Sequence, residues 1–452
     1  MSMSALLNNA DGYALAFKAN DITTGEMKKA IKEWFELYYH NKPSKDEDPC
    51  QQIPHTIVRK LTKTIFAEYD ATTEDTYAES VLKALNKKSA DAMQLALIGG
   101  ESMLKPNPTA DGFRFVVIPR NNILVFARDE EGNATDVGTA ERTVSGNAYY
   151  TLLERRTVDE NGLLTIKNRL FRSYTDDNLG QEVPLTSIPK YEQLEPEYTF
   201  TKQIGSVGLI SLHTPVVNCI DRSADHVSVY ASAVGLIHNI NRNEAQLNGE
   251  FERGESRIIV SSDMLARKKD GSKVLEDHVF VGLDEDQETI GITAFSPALR
   301  EASFLARKQE YLRNVENIIG LKRGLLSEVE AAQRTATEIT SSAGEYNLTI
   351  IEFQRMWEET VKEVIRVCGI LGQIYKVNGA HEIAEDAVAI NFGNGVLYDE
   401  DKMWADYKEM VAAGLLKPEI AMGWRFNMPA TTEAELKAIR DRYMPLVVEE
   451  VI

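Results

Sequence analysis

Apolar positions recur at three- and four-residue steps through the first hundred residues. Met27, Ile31, Trp34, Phe35 and Tyr38 predict a helix that stops at the Asn41-Lys42-Pro43 turn. Ile57, Val58, Leu61, Ile65 and Phe66 predict a second over 55–69, and Val81, Leu82, Leu85, Met93 and Leu97 a third over 77–98, ended by Gly99-Gly100. Residues 1 to about 105 therefore read as helical. From Phe113 to Ile188 the period drops to two, in FRFVVI, ILVFAR, YYTLLERRTV, LLTIKNRLFR and EVPL. Gly- and Asn-bearing turns at 129–133, 159–162 and 176–180 separate these segments, which predicts an antiparallel meander. The acidic stretch DEEGNATDVGTAE lacks the alternating ligands, central Gly and closing Glu of a calcium loop, so it reads as solvated hairpin tip.

Beyond Pro215 the helical period returns. Val216, Ile220, Ala224, Val227, Ala231, Val234, Ile237 and Asn241 predict one helix over 215–253, on the order of 50 Å long. Its stripe is thin and rich in Ala, Ser and Val, which suits close packing between copies of the same helix. RIIVSS, HVFVGL and TIGITAF predict short strands inside an insert at 254–297, with a basic turn at 266–273. Leu305, Leu312, Val315 and Ile319 mark a returning helix over 298–319. Gly320 and Gly324 then break the chain around Lys322 and Arg323, and Ser327 with Glu330 has capping-box spacing for a new helix running through Trp357 to Leu371. In the tail, MWADYKEMVAAGLL followed by Lys417-Pro418-Glu419 predicts helix, Gly stop and Pro-initiated helix, with Trp404, Tyr407, Val411 and Leu415 packed together. The fold class is α+β, mainly α.

Charge narrows the function. The 452 residues carry 50 Lys plus Arg against 69 Asp plus Glu, a formal charge of -19, which opposes a broad grip on nucleic acid but is compatible with letting DNA slide past. Cys50, Cys219 and Cys368 are far apart and form neither a disulfide framework nor a CxxC metal site. No basic, apolar leader and no run of about 18 apolar residues occurs, so an intracellular protein without a membrane span is expected. HExxH, GxSxG and GxxxxGK[ST] are all missing, and His381-Glu382 stands alone. The acidic runs 284–286, 358–359 and 399–401 read first as solvated faces; they also leave open a metal-dependent nuclease.

The order of helical N-terminal region, meander, long helix, small insert, returning helix, broken loop and long helix resembles the portal proteins of long-tailed double-stranded DNA bacteriophages. The matching stretches are IPHTIVRKLTKTIF, GGESMLKP, FVVIPRNNILVFARDEEGN, SEVEAAQRTATEITSS and the junction from Asn391-Phe392-Gly393 to Asp401. The resemblance implies a non-enzymatic, cofactor-free subunit of a ring of about twelve copies at one capsid vertex. Double-stranded DNA would pass through it in packaging and ejection. It implies a wing (1–214, with a helix and return at 337–395), stem helices (215–253 and 298–319), a clip (254–297), a tunnel loop (320–336) and a crown (396–452). The implied partners are the terminase large subunit, the head-tail adaptor, and the major capsid and scaffolding proteins. The implied location is the virion, with the host cytoplasm during assembly.

Under this resemblance Lys322, Arg323 and Arg334 are the candidates for transient phosphate contacts in the tunnel, and they read equally as solvated cations beside a helix cap. Arg267, Lys268, Lys269 and Lys273 are candidates for a clip partner or the DNA exit, with a solvated turn as the simpler reading. A coiled-coil structural protein is the remaining alternative, opposed by the thin stripe without Leu at heptad positions.

Overall fold

Helical spacing in the first hundred residues resolves into α1 (Asn9–Phe17), α2 (Gly25–Tyr39), α3 (Ile53–Ile65), α4 (Thr76–Asn86) and α5 (Ser89–Gly99), with a short strand β1 (Asp70–Thr73) before α4. A computed structural model describes residues 9–39, 49–176, 178–254, 257–260, 279–281, 293–295, 298–328, 336–384, 387–393, 400–426, 428–430 and 432–444. The chain divides into a large unit, residues 1–66 and 71–390, and a small one, residues 67–70 and 391–452.

The single helix expected over 77–98 is two. No apolar residue falls between Leu85 and Ala90, and the chain turns at Lys87-Lys88. Gly100 ends α5 with a φ of 85°, where an added Cβ would strike the His226 carbonyl, so only glycine fits. The next residues form a strand, β2 (Glu101–Thr109), where helix was expected to about 105; Pro106 and Pro108 exclude a helix interior there.

The meander follows as β3 (Gly112–Pro119), β4 (Ile123–Arg128), β5 (Ala134–Ser145), β6 (Ala148–Val158), β7 (Leu164–Ser173), β8 (Gln181–Val183), β9 (Glu197–Thr199) and β10 (Ile210–His213). Strands pair antiparallel in two sheets, ordered β10-β2-β3 and β4-β5-β6-β7-β8, with β9 also on β7. Alternation missed β5 because its centre is small: at Gly138 a Cβ would collide with the buried Tyr13 ring. Met103, Ile118, Ile123, Val125, Val137, Val207 and Leu209 form a core shared by both sheets. Each such fully buried side chain contributes about 1.5–3 kcal/mol.

The expected helix over 215–253 is shortened to α6 (Val234–Arg253), 20 residues and about 30 Å. Upstream of it, side chains take the backbone donors that a helix needs. Asn218 Oδ1 accepts from Ile220 N, Asp221 Oδ1 from Ser223 N, and Ser223 Oγ from Asp225 N, while Arg222 has a φ of 59°. Asp225 is in turn held by Arg120 and Arg128 at 3.2 and 2.7 Å.

The insert after α6 holds β11 (Arg257–Val260), which pairs parallel with β12 (Val279–Val281) and antiparallel with β13 (Thr293–Phe295). The returning helix α7 (Glu301–Ile319) runs antiparallel to α6. Glu250 pairs with Arg300, Asn243 Nδ2 donates to Phe304 O, and Glu244 pairs with Lys308. The long α8 (Ala336–Ile374) packs on α3, α4 and β10, with Trp357 fully buried edge-on to Phe66. A last strand, β14 (Val388–Asn391), follows.

The small unit contains α9 (Glu400–Ala412), α10 (Pro418–Arg425) and α11 (Glu433–Tyr443). Trp424 packs against Trp404 and Tyr407, and Gly414 and Pro418 stop and restart the chain as expected. Leu415 departs from expectation: at 80% exposed it follows the helix stop and faces solvent.

Candidate nucleic-acid interface

The apolar stripe of α7 contains one anomaly. Leu312, Val315 and Ile319 are buried, and so is Glu316, which is fully inaccessible. A carboxylate there is doubly unfavourable, because it is desolvated and sits at the negative end of the helix dipole. The loop after the helix supplies the compensation. Gly320 closes α7 in a left-handed conformation, with its Cα against Thr349 of α8, and residues 321–328 fold back over Glu316.

Glu316 Oε1 accepts from the N–H groups of Gly324, Leu326 and Ser327 at 3.1, 2.5 and 2.9 Å, and Oε2 accepts from Ser327 Oγ at 2.7 Å. Lys60 of α3 donates to the Leu325 carbonyl, and Glu328 N donates to Gln309 Oε1 at 2.8 Å. Leu325 N closes a turn onto Lys322 O at 3.1 Å. Lys322 and Arg323 are both exposed on that turn. The arrangement presents two adjacent cations to solvent from a loop anchored to α3 and α7.

Ser327 thus gives its hydroxyl proton to Glu316, and the capping box expected with Glu330 reaches outside the described residues. Arg334 lies outside them too, as do Arg267, Lys268, Lys269 and Lys273. The loop therefore joins two of the sequence candidates, and its anchors Glu316, Lys60 and Gln309 were not among them. The available signal was an acidic residue standing in an apolar helical stripe.

A second concave region, a cavity of about 430 Å³, lies between β2, β10 and α8 and is lined by Glu101, Arg128, His213, His226, Glu363 and Arg366 among others. The His213 and His226 rings stack with centroids 4.1 Å apart. Burial lowers His226 to about 4, against the opposing pull of Glu101, so its ring is neutral at pH 7. Among the described residues, no group of three or more His, Cys, Asp or Glu side chains is placed to hold a metal ion, and no helix is long and apolar enough to cross a membrane.

The antiparallel helices α6 and α7 are thus joined by an insert that carries a small sheet, and α7 ends in a loop with two exposed cations. The family described as phage portal protein, SPP1 Gp6-like, matches residues 26–442, nearly the whole chain, and the chain belongs to this family. Its role is that of a capsid portal in DNA packaging. The family is structural, its members are virion components, and they work as oligomeric rings with capsid and DNA-packaging partners. No curated protein matches the chain.

Proposed function

We propose that about twelve copies close into a ring whose open axis carries double-stranded DNA during packaging and ejection. The helices α6 and α7 act as the stem, the insert 254–297 as the clip, residues 1–214 and 337–395 as the wing, residues 320–336 as the tunnel loop, and 396–452 as the crown. The clip docks the terminase large subunit during packaging and the head-tail adaptor afterwards, while the wing meets the major capsid and scaffolding proteins. Assembly takes place in the host cytoplasm. The chain itself catalyses nothing, and ATP hydrolysis belongs to the terminase.

The observation that carries this reading is the loop after α7, where Lys322 and Arg323 are exposed on an anchored backbone. Against a net charge of -19, a few cations at one place touch passing phosphates without holding them, whereas a broad basic surface would oppose sliding. The test is the double variant Lys322→Glu/Arg323→Glu in rings supplied to an in vitro packaging reaction. Packaging is expected to fall severalfold with ring assembly intact. Wild-type packaging over a range of salt concentrations would remove these residues from the DNA path.

A further inference from the structure

The loop that carries Lys322 and Arg323 is folded around an anion that belongs to the protein itself. Its N–H groups at Gly324, Leu326 and Ser327 converge on one oxygen of Glu316, as backbone donors converge on a bound anion in a nest. The Ser327 hydroxyl takes the other oxygen. All four donors lie within residues 324–327, directly after the two exposed cations. The remaining ties act elsewhere: Lys60 holds the Leu325 carbonyl, Gln309 holds the Glu328 N–H, and Gly320 sits against Thr349 at the helix end.

We propose that Glu316 is the positioning residue of the DNA-contacting loop, fixing the backbone so that Lys322 and Arg323 keep a constant position relative to α7. The proposal rests on the reading of those two cations as DNA contacts. Its physical basis is mutual dependence. A fully buried carboxylate at a helix C-terminus is tolerated only with several strong donors, and without the carboxylate those backbone N–H groups lose their shared acceptor. Removing it frees the segment just after the cations. Each subunit then offers its two charges at a wandering position, and the phosphate contacts made around the ring lose their register.

Two variants grade the effect. Glu316→Ala removes every acceptor. Glu316→Gln keeps the length and one carbonyl oxygen for the N–H groups, while its amide faces the Ser327 hydroxyl as a donor.

The experiment treats assembled rings with trypsin, which cleaves after Lys322 and Arg323, and measures packaging by the same rings. Cleavage at these two bonds is expected to rise by about tenfold in Glu316→Ala and by about threefold in Glu316→Gln, with packaging falling in the same order. Wild-type cleavage rates in both variants would overturn the proposal. Faster cleavage with unchanged packaging would leave Glu316 as the anchor of the loop and overturn the reading of Lys322 and Arg323 as DNA contacts. Should Glu316→Ala not assemble, Glu316→Gln, which preserves the shape, supplies the same comparison.

Discussion

Removing the charge of Glu154 tests how the sheet that holds β6 is joined to the sheet that holds β2 and β10. Glu154 on β6 is 5% exposed and stands between Lys105 of β2 and Arg156, each 2.7 Å away. Arg156 Nη1 also donates to the carbonyls of Val207 and Gly208, so the charge cluster ties β6 to the segment leading into β10. Burial alone would raise the Glu154 carboxyl, but the charges of Arg156 and Lys105 and their hydrogen bonds outweigh it and bring it to about 2, from an ordinary value of 4.5. At about 1.4 kcal/mol per pH unit this corresponds to roughly 3 kcal/mol of stability at pH 7.

The folded value is depressed, so this stability is fully present above about 4.5 and is lost as the pH falls towards 2. Glu154→Gln leaves two cations facing a neutral amide. Urea unfolding at fixed protein concentration should show a deficit of about 3 kcal/mol at pH 7, shrinking by roughly half at pH 3. A deficit under about 1 kcal/mol at pH 7, or one independent of pH, would refute the argument that the cluster holds a charged carboxylate.

Other substitutions probe separate parts of the fold. Trp357→Ala, which empties a fully buried site on α8 against Phe66, should cost about 3–5 kcal/mol in the same urea assay. Asp75 caps α4 by accepting from Tyr77 N and Ala78 N, so Asp75→Ala should cost about 1 kcal/mol through the lost cap. The other Asp75 oxygen meets His381 Nε2 at 2.5 Å, and His381 is raised by the Gly379 carbonyl and by Asp75. A raised histidine gives its stability below about 6.5 and loses it as the pH climbs through the folded value, so the Asp75→Ala deficit should be larger at pH 6 than at pH 9.

The sequence revealed most where one physical signal dominated. Strong apolar stripes placed α2, α3 and α7, and turn residues placed the hairpins at 129–133 and 159–162. Tail helices α9 and α10 were legible from Gly414 and Pro418. Reading failed where small residues or local polar bonds replaced the expected pattern. Gly138, Thr139 and Ala140 hide β5 because Tyr13 fills the space a larger side chain would take. The Asn218, Asp221 and Ser223 side chains unwind a stretch whose apolar spacing matches a helix. At the candidate interface the exposed cations were visible in the sequence, but their anchors come from α3 and α7 and meet only in the folded chain.

The most direct measurement is electron microscopy of the purified protein, with native mass as the check on subunit number. The account predicts closed rings of about twelve copies around an axis wide enough for duplex DNA, with the loop bearing Lys322 and Arg323 facing that axis. A uniform monomer under assembly-favouring conditions, or a closed ring in which those two residues face away from the axis, would contradict it.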